Sequence, residues 1–133
     1  MSEPIRVLVV DDQLRARQSL KTLLATCPQV REIREAMSGR EAMRLIEESQ
    51  PDVVLMDVQM PEINGLQATR LVKAQWPQVK VIVLTLYAEY AAEARAAGAD
   101  AFMCKGEPVE KLLTTLITVA IGKGQTPVAR RSI

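Results

Sequence analysis

A four-residue apolar run, Val53-Val54-Leu55-Met56, closes on the carboxylate of Asp57. Its length and β-branched content predict a strand buried on both faces of a parallel sheet. A charge at the end of such a strand is costly unless it is paired or used. Directly after it come Val58-Gln59-Met60-Pro61-Glu62-Ile63-Asn64-Gly65. Pro61 and the Asn64-Gly65 pair break the strand and turn the chain toward a helix. Asp57 therefore stands on the lip where strand becomes loop, the place where α/β sheets hold ligands. A loop-start Asp that only caps a turn is the plainer alternative, and the rest of the chain decides between them.

Ile5-Arg6-Val7-Leu8-Val9-Val10 reads as a central strand that stops at Asp11-Asp12. From Gln13 to Thr26, Ala16, Leu20, Leu23 and Leu24 recur at helical spacing, and Pro28 marks the end. Val30 to Met37 is a weaker strand whose charges, Arg31, Glu32, Arg34 and Glu35, suit a sheet edge. Ser38-Gly39-Arg40-Glu41 has the form of a capping box, and Ala42, Leu45 and Ile46 give the helix after it a buried side. After the Asp57 strand, Leu66, Ala68, Leu71 and Val72 support a third helix closed by Trp76-Pro77. Val79 to Leu84 is again a buried strand, ending at Thr85. The alanine-rich segment Tyr87 to Ala97, capped by Gly98, has high helix propensity but little area to bury, so it is expected to be the most loosely held helix. Asp100 to Cys104 is a short strand ending at Lys105. Pro108 then opens a helix whose apolar face is Val109, Leu112, Leu113, Leu116, Ile117 and Ala120, and Gly122 is expected to end it.

Five strands alternating with five helices imply a three-layer α/β sandwich around a parallel sheet. At 133 residues the chain is expected to be one domain, residues 1–122, with Lys123 to Ile133 as a linker or C-terminal tail. A net charge of +1 excludes whole-surface electrostatics as the function. Cys27 and Cys104 form no metal-spaced pair, so reduced thiols acting as small buried hydrophobes are expected, in a cytoplasmic protein. No secretory signal precedes the first strand, and no stretch approaches membrane-spanning length.

Four strands thus end in polar residues on one edge of the sheet: Asp11 and Asp12, Asp57, Thr85 and Lys105. Three carboxylates brought together repel one another unless a cation lies among them, and all-oxygen ligation suits a hard ion, Mg²⁺. Because Mg²⁺ keeps several waters and bridges carboxylates to phosphates, the constellation points to phosphoryl transfer, with an Asp carboxylate as the nucleophile.

At this point the chain resembles a two-component response regulator receiver domain over residues 5 to 122. The resemblance rests on Asp11-Asp12, the Asp57 to Gly65 loop, the Thr85 strand end, and Lys105 with an aromatic, Phe102, three residues before it. It implies a flavodoxin-like (CheY-like) fold with strand order 2-1-3-4-5. Asp57 would be the phosphoacceptor, with Asp11 and Asp12 holding Mg²⁺ together with Asp57 and the main-chain carbonyl of Gln59, Asp12 the more directly of the pair. Lys105 would pair with Asp57 at rest and with a phosphoryl oxygen afterwards. Thr85 would bond another phosphoryl oxygen, drawing its loop inward so that Phe102 rotates into the space released. Gln59 and Tyr87 would tune phosphoryl lifetime.

Two departures from the family pattern stand out. Phe102 lacks the hydroxyl of the tyrosine found in many relatives. Lys105 is followed by Gly106 where many have proline, which predicts a more flexible loop. The Lys105-Gly106-Glu107-Pro108 stretch is most similar to NarL/LuxR-class receivers. The resemblance implies a signalling switch rather than an enzyme, with a sensor histidine kinase as partner, a homodimer on phosphorylation, and DNA reached only through a helix-turn-helix domain that this chain does not contain. The chain is then expected to be a receiver cut from a transcription regulator, a natural single-domain regulator being the alternative. A phosphatase of the haloacid-dehalogenase type needs a D-x-D motif that Asp11-Asp12-Gln13 does not supply, and the full acidic set argues against a docking module that is never phosphorylated.

Overall fold

The computed structural model describes residues 4–125, with side chains through 122. The elements in chain order are β1 (Ile5–Val10), α1 (Leu14–Leu24), β2 (Val30–Ala36), α2 (Gly39–Glu48), β3 (Val53–Met56), α3 (Gly65–Gln75), β4 (Lys80–Thr85), α4 (Ala91–Ala96), β5 (Ala101–Cys104) and α5 (Val109–Gln125). All strand pairs are parallel, as the alternation of elements predicts, and the sheet order is β2-β1-β3-β4-β5, as the family resemblance implies.

The strands are apolar almost throughout because both faces of the sheet are covered, and alternate side chains go to opposite layers. Leu8, Val10, Val54, Met56, Val81 and Val83 face one layer, where Ala42 and Ile46 of α2, Ala68 and Val72 of α3, and Ala94 of α4 pack on them. Val7, Val9, Val53, Leu55, Ile82 and Leu84 face the other, against Leu24 of α1 and Leu112 and Leu116 of α5. Three helices thus lie on one face and two on the other. The chain changes direction across the sheet between β1 and β3, which opens a crevice at the strands' carboxyl ends.

Local signals account for particular helix boundaries. Ser38 Oγ accepts the Glu41 N–H at 3.0 Å, while the Glu41 carboxylate reaches back to the Met37 N–H at 2.8 Å, one residue before the reciprocal bond of a standard capping box. Gly98, at φ 98°, closes the segment after α4, with the Ala99 N–H returning to the Ala94 carbonyl.

Several expectations are corrected. On α3, Leu71 is 44% exposed and Thr69 is fully buried: the buried stripe runs Gly65, Leu66, Ala68, Thr69, Val72, and a hydroxyl takes the place assigned to the leucine. Val109 is half exposed, in the first turn of α5 at the mouth of a cleft against α1. The helix expected from Tyr87 begins as a 3₁₀ turn, Ala88–Tyr90, with no side-chain cap, and α4 proper has only six residues, of which only Ala94 is buried. α5 continues past Gly122 to Gln125. A single exposed glycine costs a helix about 1 kcal/mol, which does not by itself end one. Cys27 is buried, but Cys104 is only partly so, and both are free thiols. The expected tail from residue 126 lies outside the described residues.

The loop after β3 returns onto the end of its own strand. The Gly65 N–H donates to the Val58 carbonyl at 2.8 Å, and a β-carbon at Gly65 would run into the Asp57 carbonyl oxygen and the Val58 Cα. The obstacle is backbone, so it cannot move aside as a side-chain tip could. Gly65→Ala is therefore expected to destabilise the fold by roughly 1–3 kcal/mol or more, as overpacking does. Gly122→Ala, whose β-carbon meets nothing within 4 Å, should be neutral or slightly stabilising. Urea unfolding of the two variants beside the parent protein checks both.

Candidate functional site

Register brings the polar strand ends together. Val10 pairs with Met56, so the residues that follow, Asp11 and Asp57, leave the sheet side by side, and the Asp57 N–H donates to the Val10 carbonyl at 3.0 Å. Thr85 pairs with Cys104, and the Lys105 N–H donates to the Thr85 carbonyl at 2.7 Å. Asp11, Asp12, Gln13, Asp57, Gln59, Thr85, Leu86, Tyr87 and Lys105 line one open cleft of about 210 Å³.

Carboxylate oxygens of Asp11, Asp12 and Asp57 all lie within 4.8 Å of one another. Lys105 is the one ammonium among them: its Nζ is 2.9 Å from Asp11 Oδ2 and 3.4 Å from Asp57 Oδ1. The lysine is thus shared, with the nearer partner the buried Asp11 and not Asp57 alone. Asp11 is tied further by the Gln13 N–H, which donates to its Oδ1 at 2.9 Å. Among the described residues Asp12 makes no ion pair and is partly buried at the rim.

Electrostatics follow from this crowding. Burial pushes the Asp57 carboxyl above its ordinary value, Lys105 pulls it back, and the Asp11 charge raises it again, for a net upward shift. Burial alone would lower Lys105, yet its hydrogen bond to Asp11 and the charges of Asp57 and Asp11 outweigh that, so the ammonium holds its proton more tightly than usual. Two of the three acids, Asp11 and Asp57, share one positive charge. A hard divalent cation fits such an all-oxygen donor set.

The remaining predicted residues are placed as follows. Thr85 is buried, and its Oγ1 accepts the Tyr87 N–H at 3.3 Å. Gln59 is exposed, and its amide Nε2 donates to the Tyr90 hydroxyl at 3.4 Å. The Tyr87 and Tyr90 rings meet edge to face, centroids 6.2 Å apart. Phe102 does not line the cleft; it is half-buried one layer away, packed with Tyr90 against the core on the α4 side.

Some contributors escaped the sequence reading. Arg17 donates to the Asp11 carbonyl at 2.8 Å and to Glu35 Oε1 at 2.8 Å, and Lys21 reaches the other Glu35 oxygen at 2.7 Å. Those two cations hold the Glu35 carboxyl below its usual range, Lys21 foremost. This bridge fixes the β1–α1 loop that carries both acids. A basic residue beside the apolar stripe of α1 and an acid on an edge strand were the available signals.

The response regulator receiver domain family matches residues 7–117. The chain is 39% identical over 113 residues to the transcriptional regulatory protein YhcZ of Bacillus subtilis, covering 84% of this chain and 53% of that protein. It is 37% identical over 121 residues to the response regulator GacA of Pseudomonas aeruginosa, covering 90% and 56%. Among solved structures, a LuxR-family two-component response regulator from Aurantimonas sp. SI85-9A1 superposes with a TM-score of 0.85 at 27% identity, covering 90% of this chain and 87% of that one. The response regulator domain of Thermotoga maritima CheB gives 0.82 at 30% identity, covering 94% and 100%. The chain spans about half the length of the curated relatives it matches.

Because the fold resists ionising Asp57, Asp57→Asn should raise the unfolding temperature near neutral pH, on the order of a few degrees. The gain should shrink as pH falls through the raised value of folded Asp57 toward the ordinary 3.8, and vanish below it, where Asp57 is protonated in folded and unfolded chains alike. Thermal unfolding at neutral and at acidic pH checks this, and a lower melting temperature for the variant at neutral pH refutes it.

Proposed function

The chain belongs to the response regulator receiver family, and from that premise we propose that it is a phosphorylation-activated switch whose phosphoacceptor is Asp57. The observation that carries the reading is the convergence of Asp57, Asp11, Asp12, Thr85 and Lys105 on one cleft, from positions as far apart in sequence as 11 and 105. The donor is the phosphohistidine of a sensor histidine kinase. An Asp57 carboxylate oxygen forms the new O–P bond as the P–N bond breaks, and the electron pair leaves with the imidazole nitrogen. The product is an acyl phosphate on the protein itself, so the chain acts on its own side chain and turns over no separate substrate.

Asp11, Asp12 and Asp57, with the main-chain carbonyl of Gln59, would hold Mg²⁺, which when bound supplies neutralising charge for the transferred group. Lys105, already shared between Asp11 and Asp57, exchanges Asp57 for a phosphoryl oxygen and keeps Asp11. Thr85, whose Oγ1 now only accepts, donates its hydroxyl proton to another phosphoryl oxygen. Gln59 and Tyr87, linked through Tyr90, stand at the mouth of the cleft and regulate the approach of the hydrolytic water.

The response is carried by the α4–β5–α5 face, with Phe102 rotating as Thr85 is drawn in. Two states separated by a few kcal/mol suffice, since phosphorylation need only shift which is populated. The output is transcriptional, through a DNA-binding region outside this chain, as the names of its relatives suggest. Homodimerisation on phosphorylation and a cytoplasmic setting belong to the same reading. Among the described residues no helix is long and apolar enough to cross a membrane.

Incubation with acetyl phosphate and Mg²⁺, followed by intact mass, is expected to add one phosphoryl group, and chelating the Mg²⁺ should abolish the gain. Asp57→Asn should gain nothing. No added mass on the parent protein, or a gain that survives the substitution, sinks the assignment.

A further inference from the structure

Lys105 sits in a turn held in an unusual way. The Glu107 N–H donates to the Cys104 carbonyl at 3.3 Å, closing a four-residue turn with Lys105 and Gly106 at its corners, and Gly106 has φ 98°. A β-carbon at Gly106 would meet nothing within 4 Å, so the glycine is required for its backbone angle and not for space. The side chain of Glu107 then bends back across the same turn, its Oε2 accepting the Cys104 N–H at 3.2 Å. β5 is the last strand of the sheet, so this N–H, on its free side, has no neighbouring strand to bond. The other carboxylate oxygen, shielded from solvent, lies 2.9 Å from Lys111 Nζ, in the first turn and a half of α5, as an ion contact and not an aligned hydrogen bond.

The turn expected to be loose for lack of proline is therefore clamped across its ends by a side chain. Lys105 is anchored on both sides, by Thr85 through its own N–H and by the Cys104–Glu107 closure behind it. Its ammonium spans to two acids from that base.

We propose that Glu107 is a positioning residue for phosphoryl transfer: by latching the Cys104 N–H it fixes the turn that aims Lys105 into the carboxylate cleft. Lys105 must change partners during transfer while its backbone stays in place, and a fixed turn limits the search to side-chain torsions. The inference rests on Asp57 being the phosphoacceptor, and the experiment separates the two.

The rate constant for phosphorylation at saturating acetyl phosphate is measured for the parent protein, Glu107→Ala, Glu107→Gln, Lys111→Ala and Gly106→Ala. Mg²⁺ affinity is followed by its effect on thermal unfolding. Glu107→Ala should lower the rate constant by roughly tenfold, the scale of a small misplacement of a charged group, with Mg²⁺ affinity unchanged. Glu107→Gln retains a carbonyl acceptor for the Cys104 N–H and should recover most of the rate. Lys111→Ala, which removes a largely exposed lysine whose ion contact leaves the Cys104 N–H bond to Glu107 in place, should change little. Gly106→Ala strains the same turn from its other corner and should slow transfer likewise, so the proposal stays testable if Glu107→Ala does not fold. Equal rates in the parent, Glu107→Ala and Gly106→Ala proteins overturn the latch while leaving Asp57 as phosphoacceptor. So does a loss in Glu107→Ala that Glu107→Gln shares in full, or one that Mg²⁺ affinity follows. A parent protein that takes up no phosphoryl group overturns the functional reading itself, and the latch with it.

Discussion

The structure turns on a charge imbalance: three carboxylates and one ammonium at the carboxyl end of a sheet whose central strand, Val53–Met56, is wholly apolar. Placing Asp11 and Asp57 side by side is costly, because each is partly removed from water and their charges repel. The upward shift of Asp57 expresses that cost. Lys105 offsets part of it and is held more firmly in return. The cluster persists because the layers beneath it leave the strand ends nowhere else to go. Asp57 follows four residues that are all buried, and its amide is bonded into β1.

The supporting shell explains how such a rim is kept in place. Asp11 is gripped at its carbonyl by Arg17, which Glu35 steadies from the edge strand. Asp57 has its own carbonyl pressed beneath Gly65, where α3 begins. That helix start is capped reciprocally by Asn64 and Gln67, with Asn64 Oδ1 accepting two backbone N–H groups at 2.9 Å. Glu62, at φ 65°, is the single non-glycine residue with positive φ among the described residues, and it sits in this same loop. Backbone strain is thus concentrated between the end of β3 and the cap of α3, where surrounding packing can hold it.

Much of this was legible from residue types because the signals were redundant. Strands such as Val53–Met56 announce themselves by unbroken apolarity, and the polar residue closing each one falls on a common edge as soon as the sheet is parallel. Where the reading failed, one residue was asked to speak for its surroundings. Leu71 looked like core and Thr69 did not, because a hydrophobicity pattern cannot see a hydroxyl buried by the 3.6-residue geometry of α3. Gly122 looked like a terminator, but helix ends are decided by what satisfies the last carbonyls and not by one permissive residue. Arg17, Glu35 and Glu107 were unreadable for a different reason. Arg17 and Glu107 act through backbone groups, and Glu35 acts through Arg17; a sequence displays neither the backbone geometry nor the pairing. The substitution of glycine for proline after Lys105 suggested slackness, whereas the compensating carboxylate stood two residues on.

The three helices on one face of the sheet are held unequally, and that asymmetry bears on how a charge added at Asp57 would be felt. α2 and α3 are capped by side chains and anchored by Ile46, Leu66 and Val72. α4 is six residues long, enters through an uncapped 3₁₀ turn, and buries one alanine. Burying an alanine yields far less than the roughly 1.5–3 kcal/mol of a large aliphatic side chain, so α4 is the helix least expensive to displace. Thr85 and Tyr87, at the start of the loop leading to it, border the same cleft as Asp57, and Phe102 lies packed against the core on that side. Rigid support under the acids and weak support under α4 are complementary requirements. The first fixes the chemistry in place, and the second leaves one element whose position a local change of charge can reset.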